Sequence, residues 1–197
     1  MTHVHIKTTN PMASRTSKII LGSVAAVLLA LLSTLLVAKV LFVGDYVIPQ
    51  NGMYPSLPSG SRLLTIKHPY ATPSEVKRGD IVVFTRDENG RRYIYIWRVV
   101  GLPGDTIEAA GASLVINSQP VVRERIREEQ GSVIFRERLD EASYEIAISQ
   151  SPRELPPDAS VIVPPDYFFV LGDNRLNALD SRSFGPIPFG AIIGRKL

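Results

Sequence analysis

The sequence predicts a mostly β protein with one transmembrane helix near its N-terminus. Two observations lead to this prediction. Residues 19–38 are all uncharged and rich in Leu, Val and Ala, whereas the chain after Gly44 consists of short alternating or β-branched segments separated by Gly and Pro. Such punctuated segments are typical of an antiparallel β domain. With 197 residues, 45% of them hydrophobic, the chain can bury a sizeable core in one or two domains.

The apolar segment 19–38 has the length that a helix needs to cross about 30 Å of hydrocarbon. A cleaved signal peptide is the main alternative interpretation, since it also consists of basic residues followed by an apolar stretch. Its apolar core is about 7–15 residues long and precedes a small-residue cleavage site, whereas this chain continues with Lys39 and further apolar residues. We therefore predict a transmembrane helix over residues 19–43. A buried core helix is the remaining alternative.

The charges that flank this helix predict its orientation. Lys7, Arg15 and Lys18 precede it, and residues 1–43 contain no acidic residue. Positively charged flanks stay on the cytoplasmic side of a membrane. The prediction is a single-pass protein of the plasma or inner membrane, with a cytoplasmic tail at residues 1–18 and an extracytoplasmic domain at residues 44–197. The lipid bilayer is therefore its first expected partner.

The expected extracytoplasmic domain is nearly neutral. Four of the 22 basic residues lie within residues 1–43, which leaves 18 against 19 acidic residues in the domain. Nucleic-acid binding needs a concentrated basic face, so this class is excluded. Cysteine is absent, which excludes disulfides and thiolate catalysis. His3, His5 and His68 are too scattered for a metal site, and no metal or cofactor is predicted.

The elements of the β domain follow from its apolar segments. The predicted strands cover residues 62–66, 81–85, 92–100, 114–116, 161–163, 167–171 and 191–194. Their spacing leaves no room for crossover helices, so antiparallel pairing is expected. Asn117 and Ser118 are predicted to form a hairpin turn. Residues 123–157 alternate Arg with Glu at 123–129 and again at 136–141, and they are expected to form a charged, solvated insertion or small subdomain.

Four segments carry a more specific pattern. They are IPQNGMYPSL at residues 48–57, RGDIVVF at 78–84, WRVVGLPGD at 97–105, and LGDNR at 171–175 continuing to DSRSFG at 180–185. In this order and approximate spacing they resemble the type I signal peptidase, or leader peptidase, family. The resemblance covers about residues 19–197 and implies an antiparallel β signal-peptidase-like domain with a small inserted subdomain.

The resemblance also implies a chemistry. In this family a serine attacks the peptide bond at the end of a signal peptide, and a lysine removes the proton of that serine. Such a lysine must be neutral near pH 7, and burial in an apolar pocket can lower its pKa far enough. Backbone and hydroxyl donors beside the serine stabilise the oxyanion.

This sequence departs from the family at both catalytic positions. The family nucleophile position holds Gly52, and the family general-base position holds Trp97, whose indole cannot accept a proton in this role. Gln50 replaces a small oxyanion-hole residue. Leu176 and Ala178 replace the usual Asp and Ser, and the family counterpart of Ala178 helps to hold the lysine. No intact catalytic residue is therefore predicted.

The resemblance still assigns other residues to the site. The expected substrate-binding residues are Gln50, Asn51, Met53, Tyr54 and Pro55. The expected structural residues near the site are Asp80, Arg98, Asp173, Ala178, Asp180, Ser181 and Arg182. This framework can be needed for folding alone, or it can preserve a groove that binds an extended peptide by strand addition. Asn51 and Gly52 can also be a simple turn, and Trp97 a core residue that fills the former lysine pocket.

Three functional interpretations remain open from the sequence. The first is an inactive accessory protein or chaperone that binds signal peptides, pilins or other exported proteins, with or without an active signal peptidase as a partner. The second is an active signal peptidase in which Ser56, Ser59 or Ser61 acts with Lys67 or Lys77. A displacement of several ångströms argues against it, because catalysis tolerates about 1 Å. The third is a structural membrane subunit without peptide affinity.

Overall fold

The computed structural model describes residues 11–197, so residues 1–10 of the predicted tail lie outside the described residues. The first element is helix α1, Pro11–Phe42. It begins before the predicted residue 19, since proline is compatible with the first helical turn and no later proline interrupts the segment. It ends one residue before the predicted limit, because Val43 begins the first strand.

Helix α1 presents apolar side chains on its surface. Within the 23-residue segment Ile20–Phe42, Leu29 and Leu35 are 67% and 68% exposed. The length and composition of this segment fit a single-pass membrane anchor. The helix up to Leu41 forms one compact unit, and the chain from Phe42 to Leu197 forms the other.

The second unit is built from short strands, as predicted. They are β1 (Val43–Val47), β2 (Arg62–Lys67), β3 (Ile81–Glu88), β4 (Arg91–Gly101), β5 (Thr106–Ala110), β6 (Ser113–Ile116), β7 (Gln119–Pro120), β8 (Arg123–Glu129), β9 (Ser132–Leu139), β10 (Ala142–Ser149), β11 (Ala159–Ile162), β12 (Tyr167–Leu171), β13 (Ile187–Pro188) and β14 (Ile192–Lys196). The one-turn helix α2 spans Ser181–Phe184, and short 3-10 helices occupy Pro73–Glu75 and Phe189–Ala191. Each of the seven predicted strands overlaps an observed strand.

The strands form three sheets with antiparallel ladders. The largest sheet has the order β1-β2-β14-β3-β4-β12-β13, and the second has the order β11-β5-β6-β7. The predicted hairpin turn is confirmed, because Asn117 and Ser118 have φ angles of 51° and 64° and connect β6 to β7. The main core lies against the large sheet, where Val82, Val83 and Phe84 are fully buried.

The charged segment 123–157 contains the third sheet, β10-β9-β8. Its alternating charges do not make it wholly solvated. Ile134 and Ile146 on this sheet are fully buried, and so is the carboxylate-bearing side chain of Glu137. The sheet also contacts the chain that follows β12, since Ala147 forms a parallel bridge with Asn174.

Candidate functional site

The site is built around the loop at Asn51 and Gly52, which follows β1. A turn is present, because the Tyr54 amide donates to the Asn51 carbonyl at 3.1 Å. Neither residue has a positive φ, so this turn is not of the left-handed hairpin type that Asn-Gly pairs favour. The loop is held in place by hydrogen bonds from the segment that follows β12. The Asn174 amide donates to the Gly52 carbonyl at 3.0 Å, and its Nδ2 donates to the Asn51 carbonyl at 3.1 Å.

The indole of Trp97 lies directly against Gly52. Trp97 is on β4 and is only 4% exposed. A Cβ atom built on Gly52 would stand 2.7 Å from Trp97 Cζ3 and closer still to Cη2. Real Cβ atoms essentially never approach other heavy atoms that closely. The ring of Trp97 therefore occupies the space that a side chain at position 52 would need.

Gly172 and Ala178 close the same space from another direction. A Cβ atom on Gly172 would stand 2.6 Å from the Gly52 carbonyl oxygen and 3.2 Å from Trp97 Cζ3, and it would also collide with Ala178 Cβ. The packing at this point consequently needs two glycines and a small residue at position 178. A larger side chain at any of these positions would displace its neighbours.

A cleft opens beside the Gly52–Trp97 contact. It has a volume of about 180 Å³ and is lined by residues 48–50, 52–53 and 93–97. We call it the β4 cleft. Of the residues expected to bind substrate, Gln50 and Met53 line it. Tyr54 does not line the cleft and is buried in a small cluster with Ile134 and Ala147 of the inserted sheet. Asn51 is exposed and Pro55 is half-buried, and neither lines the cleft.

Arg98, next to Trp97, forms a buried ion pair with Asp173. Its Nε donates to Asp173 Oδ1 at 2.8 Å, and its Nη2 donates to Oδ2 at 2.6 Å. The guanidinium also stacks 3.9 Å over the ring of Tyr144 and donates to the Gly79 carbonyl at 2.7 Å. Burial by itself would lower the pKa of Arg98, but Asp173 raises it above its ordinary value. Arg98 is a permanent cation and is not a general base.

Asp180 and Arg182 form a second buried pair that holds the Gly172 backbone. Arg182 Nε and Nη2 donate to Asp180 at 2.8 and 2.7 Å, and the Gly172 amide donates to Asp180 Oδ2 at 3.0 Å. Ser181 Oγ accepts from the Val170 amide at 3.0 Å. Of the residues expected near the site, Ala178, Asp180, Ser181 and Arg182 thus fix the segment that contacts Gly52 and Trp97.

Asp80 lies at the start of β3 and orders the entry to that strand. It accepts from the Tyr70 hydroxyl at 2.7 Å and from the Lys77 amide at 3.0 Å. Burial, together with this hydrogen bond, raises the pKa of Tyr70 well above its ordinary value. The Asp80 carbonyl accepts from the Val99 amide at 2.9 Å. Asp80 is therefore hydrogen-bonded to β4 through its backbone carbonyl, and it does not line the cleft.

The similarity to known proteins is extensive. A family model described as signal peptidase, peptidase S26, matches residues 20–197. The chain belongs to the signal peptidase family. The family is thus shown for almost the whole length over which the sequence motifs indicated it.

Two signal peptidases support the assignment by their sequences. Signal peptidase I of Pseudomonas aeruginosa is 32% identical over 81% of this chain, and the match spans 65% of that relative's length. Signal peptidase I P of Bacillus subtilis subsp. natto is 34% identical over 83% of this chain and 79% of its own. A solved signal peptidase I of Enterococcus faecalis is 27% identical over 61% of this chain and 95% of its own, with a TM-score of 0.37.

The three serines considered as displaced nucleophiles are engaged in hydrogen bonds in this chain. Ser56 Oγ accepts from Arg98 Nη2 at 3.2 Å and donates to the Glu145 carbonyl at 3.4 Å. Ser59 and Ser61 donate to backbone carbonyls of their own loop. Lys67 lies on β2 beside Gly194 of β14, and the side chain of Lys77 is exposed. The hydrogen bonds of the three serines are therefore made to the Arg98 guanidinium and to backbone carbonyls.

The sequence did not indicate the buried triad of Arg123, Glu137 and Arg175. Arg123 Nε and Arg175 Nη1 each donate to Glu137 Oε1 at 2.6 Å, and the side chains of Glu137 and Arg175 are almost fully buried. Glu137 lies within an Arg/Glu alternation that is typical of solvent-exposed pairs. The partner that buries it is 38 residues away, so no local pattern singles it out.

Proposed function

We propose that this chain is a signal peptidase family member that binds signal peptides or other exported proteins without cleaving them. The observation that carries the proposal is the contact between Trp97 and Gly52, where the family resemblance expects a lysine and a serine. Glycine offers no nucleophile, and the indole offers no proton acceptor. Removing one member of a cooperating catalytic unit already forfeits most of the rate enhancement.

The retained framework supports a binding role. The pairs Arg98–Asp173 and Asp180–Arg182 hold the walls of the site although no catalytic group is there to be positioned. The β4 cleft is open beside strand β4, and an extended peptide can bind along a strand by β-augmentation. Exported clients such as signal peptides or pilins, and an active signal peptidase, are the partners that we propose for this accessory or chaperone role.

A cleavage assay tests the absence of activity. The purified full chain, incubated with a signal-peptide-bearing precursor, is expected to release no mature protein, whereas the Pseudomonas aeruginosa signal peptidase I in parallel cleaves it. The physical reason is that the hydroxyl of Ser56 is hydrogen-bonded to a guanidinium, which stays protonated. Turnover that is abolished by Ser56→Ala would overturn the proposal and establish a displaced nucleophile.

We further propose the membrane topology given by the charges. Residues 1–18 would remain in the cytoplasm, residues 19–43 would span the membrane, and the domain at residues 44–197 would face outward. Three basic and no acidic residues precede the span, and the positive-inside rule carries the proposal.

The absence of cysteine provides a direct test of this topology. Single cysteines are introduced as Ser160→Cys, at an exposed position of β11, and as Thr8→Cys in the tail. In intact cells or spheroplasts, a membrane-impermeant maleimide is expected to label the first variant at once and the second only after lysis. The reverse labelling pattern would invert the topology.

A further inference from the structure

The β4 cleft is large enough for one bulky side chain. Its volume is about 180 Å³. For comparison, an apolar protein cavity of about 150 Å³ holds a benzene molecule. A leucine or phenylalanine side chain therefore fits, whereas an alanine methyl group would leave most of the cleft unfilled. Unfilled space forfeits dispersion contacts with the surrounding walls.

One wall of the cleft is aromatic and fixed in position. The rings of Tyr95 and Trp97 are 6.4 Å apart and tilted by 41°, which lies within the favourable range for aromatic pairs. Phe84 stacks behind Tyr95 at 5.7 Å. Because Trp97 also rests against Gly52, its ring cannot withdraw in that direction. The wall thus offers a firm apolar surface to an entering side chain.

The cleft offers little to a charged group. None of the described residues that line it carries a formal charge. The hydroxyl of Tyr95 already donates to Glu88 Oε1 at 2.7 Å. A lysine or aspartate side chain that entered would lose its hydration without gaining a counterion, which is unfavourable. The chemistry of the lining therefore selects uncharged side chains.

Trp97 contributes one unused polar group. Its Nε1 is buried and has no hydrogen-bond partner among the described residues. Buried donors without a partner are rare in folded proteins. Because this nitrogen has almost no exposed surface, it does not face a ligand in the cleft. Trp97 therefore contributes to the cleft as an apolar wall.

From these observations we infer that the β4 cleft binds extended peptides through one large uncharged apolar side chain, of leucine or phenylalanine size, which packs against Trp97. This inference rests on the proposed peptide-binding function and adds the class of peptide. It makes Trp97 and Ile94 the residues that determine specificity. Ile94 lines the cleft and is 55% exposed, so it is available to an incoming ligand.

The test uses four eight-residue peptides that differ only at one central position, which is Ala, Leu, Phe or Lys, and whose other seven residues are uncharged. Each is labelled with fluorescein and titrated with the full chain in lipid nanodiscs, with empty nanodiscs as the control, and anisotropy is measured. We expect the Leu and Phe peptides to bind at least about tenfold more tightly than the Ala peptide, since each buried methylene contributes to such discrimination. The Lys peptide is expected to bind no better than the Ala peptide.

Two readouts assign the binding to the cleft. Trp97 is the only tryptophan, so its emission, followed with unlabelled peptides, should shift when the Leu or Phe peptide binds. Ile94→Glu is expected to weaken binding of these peptides about tenfold, because it places a charge in an apolar site. Ile162→Glu is the matched control, since Ile162 is 68% exposed and lies on β11, outside the cleft. Its affinity should equal that of the unaltered chain.

The outcomes separate the two proposals. Equal affinities for the four peptides, or tightest binding of the Ala peptide, would overturn the size selection and leave peptide binding intact. Equal losses for Ile94→Glu and Ile162→Glu would place the binding site elsewhere. A failure of all four peptides to bind would overturn both this inference and the proposed function.

Discussion

Replacing Gly52 by alanine is expected to lower the free energy of unfolding by about 1–3 kcal/mol, the usual cost of overpacking a core. The new methyl group would stand 2.7 Å from Trp97 Cζ3 and nearer to Cη2. Since Trp97 is almost fully buried, its ring cannot move aside without disturbing the core. Denaturant unfolding of the full chain in detergent micelles measures the change as a shift of the midpoint.

Gly190→Ala is the matched control for this prediction. A Cβ atom on Gly190 would have no heavy atom within 4 Å, and Gly190 has no positive φ. Its replacement is therefore expected to change the stability by less than about 0.5 kcal/mol. A similar loss in the two variants would mean that the loss of glycine itself, and not the indole, determines the effect at position 52.

A double-mutant cycle identifies the obstructing group. Trp97→Ala alone should cost about 3–5 kcal/mol, because it removes a large buried ring. In that background Gly52→Ala should cost almost nothing, which gives a coupling energy as large as its effect in the unaltered chain. An unchanged cost in the Trp97→Ala background would show that another group opposes the methyl. The same geometry implies that a serine at position 52 cannot be accommodated while Trp97 remains.

The sequence predicts the large sheet well because its strands have strong local signals. The segment at β12, Tyr167–Leu171, is a continuous apolar strand and is predicted to its exact limits. β5 was not predicted, because its buried residues are only Ile107 and Ala109, which give a weak hydrophobic alternation. The strands β8–β10 were not predicted for a different reason. Its Arg/Glu alternation is typical of solvent-exposed chain, although one side of that sheet is buried.

The candidate site is predictable only in part. The motifs indicate that Gly52 and Trp97 are neighbours, because the family resemblance assigns them to a cooperating pair. They do not indicate that the ring covers the Cα of Gly52, since that depends on the side-chain rotamer and on Gly172 and Ala178. The burial of Tyr54 against Ala147 was likewise not predictable, because it depends on how the inserted sheet packs.

Glu137→Gln is expected to destabilise the protein by about 3–5 kcal/mol, the range observed when one partner of a buried ion pair is removed. Glu137 is fully buried and accepts hydrogen bonds from both Arg123 and Arg175. Its neutralisation leaves two buried guanidinium groups without their shared counterion. Glu128→Gln is the control in the same sheet, because Glu128 and its partner Arg125 are both more than half exposed. Its expected effect is below about 1 kcal/mol.

The stability difference between the unaltered chain and Glu137→Gln can be measured as a function of pH. This dependence tests whether the destabilisation is electrostatic in origin. Burial alone would raise the pKa of Glu137, but Arg175 and Arg123 lower it below its ordinary value. A carboxyl with a lower pKa in the folded state stabilises the protein above its unfolded pKa, about 4.3, and loses this contribution as the pH falls toward the folded pKa. The gap between the unaltered chain and Glu137→Gln should therefore be largest near pH 7 and should shrink below about pH 4. A gap that stays constant between pH 7 and pH 3 would attribute the destabilisation to altered packing, because only an ionised carboxylate can lose its contribution on protonation.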